Sequence, residues 1–193
     1  MKELVFATHN PNKLEEIRQM LPAGISLRSL DEIGCTEAIP ETAPTLEGNA
    51  RLKAEYVRDR YGYDCIADDT GLEVEALGGA PGVYSARYAG PQADARANTA
   101  RLLEALSGST SRQAQFRTVI ALTEGDSCRF FEGVVTGEIT ETPQGQGGFG
   151  YDPVFRPSGH DRTFAEFSTE EKNRISHRGK AFRALQAYLE AGL

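Results

Sequence analysis

Four short segments of the chain concentrate the side chains that do chemistry. Thr8-His9-Asn10-Pro11-Asn12-Lys13 sets a hydroxyl, two amides and a cation at a strand-to-helix turn, where backbone N–H groups at a helix start attract anions. This set suits a polyphosphate, and it also suits an ordinary capped helix with a solvated lysine. The Gly-x-x-x-x-Gly-Lys pattern of a Walker loop is missing. The second segment is Asp68-Asp69-Thr70. Two adjacent carboxylates at the end of a buried strand repel one another unless a cation, a proton or solvent offsets their charge. Mg²⁺ takes oxygen ligands, keeps several waters and is usually held by one or two carboxylates plus substrate phosphates, which matches so sparse a supply. Glu41, Glu73 and Glu75 are further ligands by residue type. The alternative is a loop or cap with its aspartates on solvent.

The third segment, Gly147-Gly148-Phe149-Gly150-Tyr151-Asp152-Pro153, joins backbone freedom to two rings and a carboxylate. A flat base could approach such a loop and stack on an aromatic. Glycines beside a proline also make plain turns, and Phe149 is equally a core residue by type. In the fourth segment Lys172, Arg174, His177, Arg178 and Lys180 fall close together, with Ser176 placed to cap the last helix. A helix start flanked by His and Arg binds oxyanions or the acceptor edge of a base, while basic runs are otherwise solvated faces. His9 and His160 have no partner implied by spacing, and neither is assigned a catalytic role.

The elements that must position these segments are legible from periodicity. Glu3 to Thr8 reads as a buried strand, and Asn10 and Pro11 then cap and open a helix whose stripe is Leu14, Ile17 and Leu21 until Pro22 and Gly24 stop it. After the short segment Ile25-Ser26-Leu27, an irregular stretch with Pro40 and Pro44 leads to a helix from about Leu46 to Tyr61, with Ala50, Ala54 and Val57 inward. A strand from Asp64 to Ala67 runs into the acidic pair, which places that pair at a strand's end. Gly78 to Gly82 is a loop, and Asp94 to Leu106 is a helix. Gln113 to Thr123 alternates as a strand with Ala114, Phe116, Thr118 and Ile120 on one side, and Phe130 to Ile139 is another strand. Gly145 to Gly150 is a loop, and a final helix from Ser176 to Ala191 shows Phe182, Leu185 and Leu189 on one face. Interleaved helices with two consecutive strands near the middle predict an α/β fold, a mixed central sheet flanked by helices.

Composition bounds what such a fold would serve. A chain of 193 residues suits one domain, residues 1–193, with no internal repeat or interdomain linker. A formal charge of −7 lacks the electrostatic footprint of a protein that grips long nucleic acid, although a local Lys and Arg cluster still holds a small anion. Cys35, Cys65 and Cys128 are odd in number and show no Cys-x-x-Cys spacing, which points to neither a disulfide framework nor a zinc site and suits a reducing cytoplasm. The run Leu4-Val5-Phe6-Ala7 is too short for a signal-peptide core or a membrane span.

Taken in order along the chain, these motifs resemble the inosine triphosphate pyrophosphatase family over nearly the whole length. The resemblance is carried by Phe6 to Lys13, Asn49-Ala50 with Lys53-Ala54, Ala67 to Leu72, Gly78 to Tyr88, Gly147 to Pro153, and Glu171-Lys172 with Ser176-His177-Arg178-Gly179. It implies hydrolysis of non-standard purine nucleoside triphosphates (ITP, dITP, XTP) to the monophosphate and pyrophosphate, with Mg²⁺, by a homodimer. It implies Asp69 as general base and metal-associated carboxylate, Glu41 as a second metal ligand and Asp68 as a close supporting acid. Thr8, Asn10 and Lys13, in the segment with His9, Pro11 and Asn12, would hold phosphates, and Thr70 would touch substrate through its hydroxyl. Phe149 would pack on the purine, with Gly150, Tyr151 and Asp152 near the base or sugar edge. Lys172, His177 and Arg178 would complete the pocket. The family often carries serine where Thr70 stands and phenylalanine where Leu46 stands, and both changes keep the needed chemistry. Two other readings are a related pyrophosphatase acting on modified pyrimidines and a non-catalytic nucleotide-binding module.

Overall fold

The computed structural model describes residues 1–192. Its elements in chain order are β1 (Lys2–Phe6), α1 (Pro11–Met20), β2 (Ile25–Arg28), α2 (Leu46–Tyr61), β3 (Cys65–Val74), α3 (Ala95–Ala105), β4 (Gln113–Glu124), β5 (Ser127–Ile139), β6 (Phe155–Pro157), α4 (Thr169–Ile175) and α5 (His177–Ala191). Among the described residues six strands form one mixed sheet in the order β2-β1-β3-β4-β5-β6. β1 runs parallel to β2 and to β3, and β5 runs antiparallel to β6. A two-residue turn, Gly125-Asp126, joins β4 to β5, a link that only antiparallel neighbours permit. The expected mixed sheet with flanking helices is therefore what the chain builds.

Two compact units are distinguished along the chain. The first contains Met1–Asp69, Val119–Glu132 and the residues from Ala181 onward. Its core gathers Leu4 and Phe6 of β1, Leu14 and Ile17 of α1, Ile66, Ile120, Leu122, and Phe182, Leu185 and Leu189 of α5. Leu14 and Ile17 form the buried stripe of α1, as their spacing requires, and Phe182 meets Phe6 edge to face at 6.2 Å. The helix is capped by Asn10, whose side chain accepts from the amides of Asn12 and Lys13, with Pro11 at the first helical position. The second unit contains Thr70–Thr118 and Gly133–Lys180. Its core is more aromatic: Phe116, Tyr151, Phe155, Phe164 and Phe167 pack with Leu72, Val74, Leu102, Val135 and Ile139. Each fully buried Leu or Phe contributes about 1.5–3 kcal/mol of transfer free energy.

One expectation needs correction. Asp68-Asp69 does not end a strand, because β3 continues through the pair to Val74. What ends beside it is the pairing with β1, whose last registered partners are Phe6 and Ile66, with Ala7 N donating to Ile66 O at 2.8 Å. Burial resumes at Leu72 and Val74, both fully buried, so the strand carries on past its charged residues. Three elements had no sequence forecast, the first being the four-residue strand β2, which reads only as a short segment. β6 has three residues, too few for periodicity, and α4 is a short helix closed by a Ser168–Glu171 capping box.

Candidate active site

In the first unit the chemistry-bearing groups are held by β1, α1, α2 and β3. The turn after β1 is tied internally: Asn10 N donates to Thr8 Oγ1 at 3.1 Å, and Asn10 Oδ1 accepts from Asn12 N at 3.0 Å and from Lys13 N at 3.3 Å. Two of the first-turn amides are thus engaged by the cap. His9 leans the other way, its Nε2 lying 3.3 Å from Glu37 O and its Nδ1 3.9 Å from Asp31 Oδ1. Lys13, in the first turn of α1, places Nζ 3.0 Å from Asp68 Oδ2, and that carboxylate is almost wholly buried.

A second ammonium meets the same aspartate from α2. Lys53 Nζ donates to Asp68 O at 2.5 Å and lies 2.9 Å from Glu41 Oε1. Burial alone would lower the Lys53 pKa, but the charges of Asp68, Glu41 and Asp69 outweigh it and hold the ammonium above its usual range. Glu41, Asp68, Asp69, Lys13 and Lys53 therefore form one alternating set of carboxylates and ammoniums. In the sequence Lys53 stands out only among the residues that carry the family resemblance, and it has no role there. The signal was available: it stands among Asn49, Ala50, Ala54 and Val57, all buried on α2, where a lysine is out of place unless it has carboxylate partners.

The donor set can be tested against a divalent cation. Among the described residues no group of three or more His, Cys, Asp or Glu converges in metal-binding geometry. The oxygens present are carboxylates already facing two cationic heads. That suits Mg²⁺, which needs only one or two carboxylates and completes its shell with water and phosphate oxygens. Of the remaining acids named from the sequence, Glu73 accepts from Gln115 Nε2 at 2.9 Å and from Arg117 Nε at 3.2 Å, and Glu75 opens a short 3₁₀ turn.

In the second unit the loop before β6 is built around Asp152. This carboxylate is buried, accepts from Phe149 N at 2.9 Å and faces Lys172 Nζ at 2.5 Å. Gly148 is obligatory for it: φ is +70°, and an added Cβ would fall 2.3 Å from Asp152 Oδ2. The Phe149 ring is 70% exposed, and Lys172 Nζ stands 4.2 Å from its centroid. An exposed ring beside a cation is a stacking platform for a flat ligand. Tyr151 does something different: its ring belongs to the core and its hydroxyl donates to Ser85 O at 2.6 Å, while burial raises its pKa. Thr70 Oγ1 lies 2.8 Å from Thr118 Oγ1.

His177 opens α5, and Ser176 Oγ accepts from Gly179 N at 3.1 Å, as a capping serine should. The imidazole stacks on Phe116, with centroids 4.7 Å apart and planes 15° from parallel, and its buried Nδ1 meets no hydrogen-bond partner. Burial first, then the charges of Lys172, Arg178 and Lys180, push its pKa down to about 3. His177 is thus neutral at physiological pH. The Phe116 platform was invisible in the sequence, because strand alternation marks that side chain as core and nothing more. A pH dependence follows. The unfolded chain protonates His177 below about 6.5, while the folded one resists until about 3, so this contribution is fully present above 6.5 and is lost as pH falls. Between pH 7 and pH 5 unfolding free energy should drop by about 2 kcal/mol more in the parent than in His177→Gln. Denaturant titrations at both pH values check this, and equal drops would remove His177 as the cause.

The sequence model of the Ham1 family matches residues 4–188. A dITP/XTP pyrophosphatase of Porphyromonas gingivalis is 58% identical, covering 98% of both chains, and one of Flavobacterium johnsoniae is 57% identical with the same coverage. Among solved structures, the Ham1 protein of Staphylococcus aureus superposes with a TM-score of 0.95 at 41% identity, covering 100% of both chains. The likeness extends over the segments that carry the carboxylate–ammonium set and the Asp152–Lys172 loop, and the chain belongs to the Ham1 family.

Proposed function

We propose that this chain hydrolyses non-standard purine nucleoside triphosphates, ITP, dITP and XTP among them, to the nucleoside monophosphate and pyrophosphate. Its close relatives carry the name dITP/XTP pyrophosphatase. The observation that carries the reading is the meeting of Lys13 and Lys53 at Asp68, with Glu41 on the same lysine. Two ammoniums held by carboxylates make a site where polyphosphate oxygens replace one set of charges with another.

In this reading residues 1–193 act as one nucleotide pyrophosphatase domain. Glu41 and Asp69, supported by Asp68, would hold Mg²⁺, whose chemistry is neutralisation of phosphate charge. Asp69 takes a proton from water as the water oxygen bonds to the α-phosphorus and the bond from that phosphorus to the bridging oxygen breaks. The electron pair leaves with pyrophosphate. Lys13 and Lys53 stabilise charge on the departing oxygens, and Thr8 and Asn10 orient the chain of phosphates. Phe149 offers a face to the purine, and His177 and Arg178 read its edge.

We further propose a homodimer in the cytoplasm that binds neither nucleic acid polymers nor membranes. All three cysteines are unpaired thiols, which suits a reducing compartment, and no described helix is long and apolar enough to cross a membrane. The test of the activity is a panel of ITP, XTP, GTP and ATP with Mg²⁺, with monophosphate, diphosphate, pyrophosphate and orthophosphate resolved. Monophosphate plus pyrophosphate from ITP and XTP is expected. A diphosphate with orthophosphate would replace this reading with a phosphatase, and binding without turnover would replace it with a nucleotide-binding module.

A further inference from the structure

Glu41 lies in an irregular segment between Pro40 and Pro44, so no regular element of its own fixes the carboxylate. The segment is instead fastened to α2. Asn49 is fully buried, and its Oδ1 accepts from Ala43 N at 2.9 Å, two residues beyond Glu41. Because a backbone N–H donates, the oxygen of the amide must face it, which fixes the orientation of the side chain. Its Nδ2 is then left buried with no hydrogen-bond partner. One turn further on the same helical face, Lys53 Nζ grips the Glu41 carboxylate itself at 2.9 Å and Asp68 O at 2.5 Å. Gly48 completes the seat. A Cβ added there would lie 2.6 Å from Ala43 Cβ and 3.0 Å from Thr45 Oγ1, so any side chain would push the segment off the helix.

Stability alone is a poor reason for this asparagine, since it makes one bond and strands a buried donor at a cost that a smaller apolar residue would avoid. We propose that Asn49, with Gly48 as its seat, is a positioning residue that holds the Glu41 carboxylate beside Lys53 and Asp68 for the cation. The proposal rests on the reading of Glu41 as a metal ligand. The clasp acts through the backbone at Ala43, and it places Glu41 where neither proline-flanked loop geometry nor periodicity would.

The test uses the full chain and two readouts. Hydrogen exchange without ligand should show faster exchange across residues 41–45 in Asn49→Ala and in Gly48→Ala, with α2 and the core protected as in the parent. The Mg²⁺ concentration that half-saturates ITP turnover should rise roughly 10–100-fold in both variants, with kcat at saturating Mg²⁺ falling far less. In Gly48→Ala/Ala43→Gly the clash is relieved, and the half-saturating concentration should move back toward the parent's. This double variant also covers the case in which Asn49→Ala fails to fold. Glu41→Gln separates the two layers. If Glu41→Gln leaves Mg²⁺ activation unchanged, the metal-ligand reading fails and the proposal with it. If Glu41→Gln shifts activation while Asn49→Ala and Gly48→Ala alter neither exchange nor activation, the positioning role is overturned and the reading of Glu41 stands.

Discussion

Asp69→Asn is expected to lower kcat for ITP by roughly 10²–10⁴-fold, with circular dichroism and melting temperature close to the parent's. The substitution keeps the size and hydrogen-bonding shape of the side chain and removes its ability to accept a proton. Asp69 is half-buried on β3, next to Asp68, and its charge is one of those that sustain the Lys53 ammonium. On the proposed mechanism Lys13 and Lys53 stabilise the charge of the transition state and the variant retains both, so the KM for ITP should change much less than kcat. Turnover within a few-fold of the parent would take the role of base away from Asp69.

The second large effect concerns the base. Inosine and xanthosine present a 6-oxo acceptor, whereas adenine presents a 6-amino donor. Arg178 can only donate, and His177 is neutral with a buried Nδ1 that has no protein partner. An edge read by the Arg178 guanidinium leaves the amino group of adenine unpaired, and such mismatches discriminate by on the order of 10⁴ in kcat/KM. Arg178→Gln, which offers both a donor and an acceptor, should reduce the ratio of ITP to ATP to within roughly 10²-fold. The measurement is kcat/KM for both nucleotides in parent and variant. A parent that turns over ATP and ITP equally would defeat the idea that the 6-position is read.

Periodicity and punctuation made most of the fold legible. The stripes of α1 and α5, the inward alanines and Val57 of α2, and the caps at Asn10 and Ser176 all follow from local chemistry that the sequence displays directly. What escaped was non-local. β6 is held by pairing with β5, and a three-residue strand carries no pattern of its own. The charges of Asp68-Asp69 interrupt an apolar run and so read as a strand's end, yet Lys13 and Lys53 meet Asp68 and β3 continues. In the candidate site the types and spacing of Asp68, Asp69, Lys172 and His177 stood out. The contacts that give them meaning did not: Lys53 on Glu41, Phe116 under His177, and Asp152 accepting from Phe149 N join residues far apart in the chain or turn on backbone geometry.

The claim on which the mechanism depends is that water attacks the α-phosphorus. Hydrolysis of ITP in H₂¹⁸O with Mg²⁺, followed by mass spectrometry of both products, tests it directly. The account predicts the label in the phosphate of the monophosphate and none in pyrophosphate. Label in the pyrophosphate would mean attack at the β-phosphorus and would contradict it.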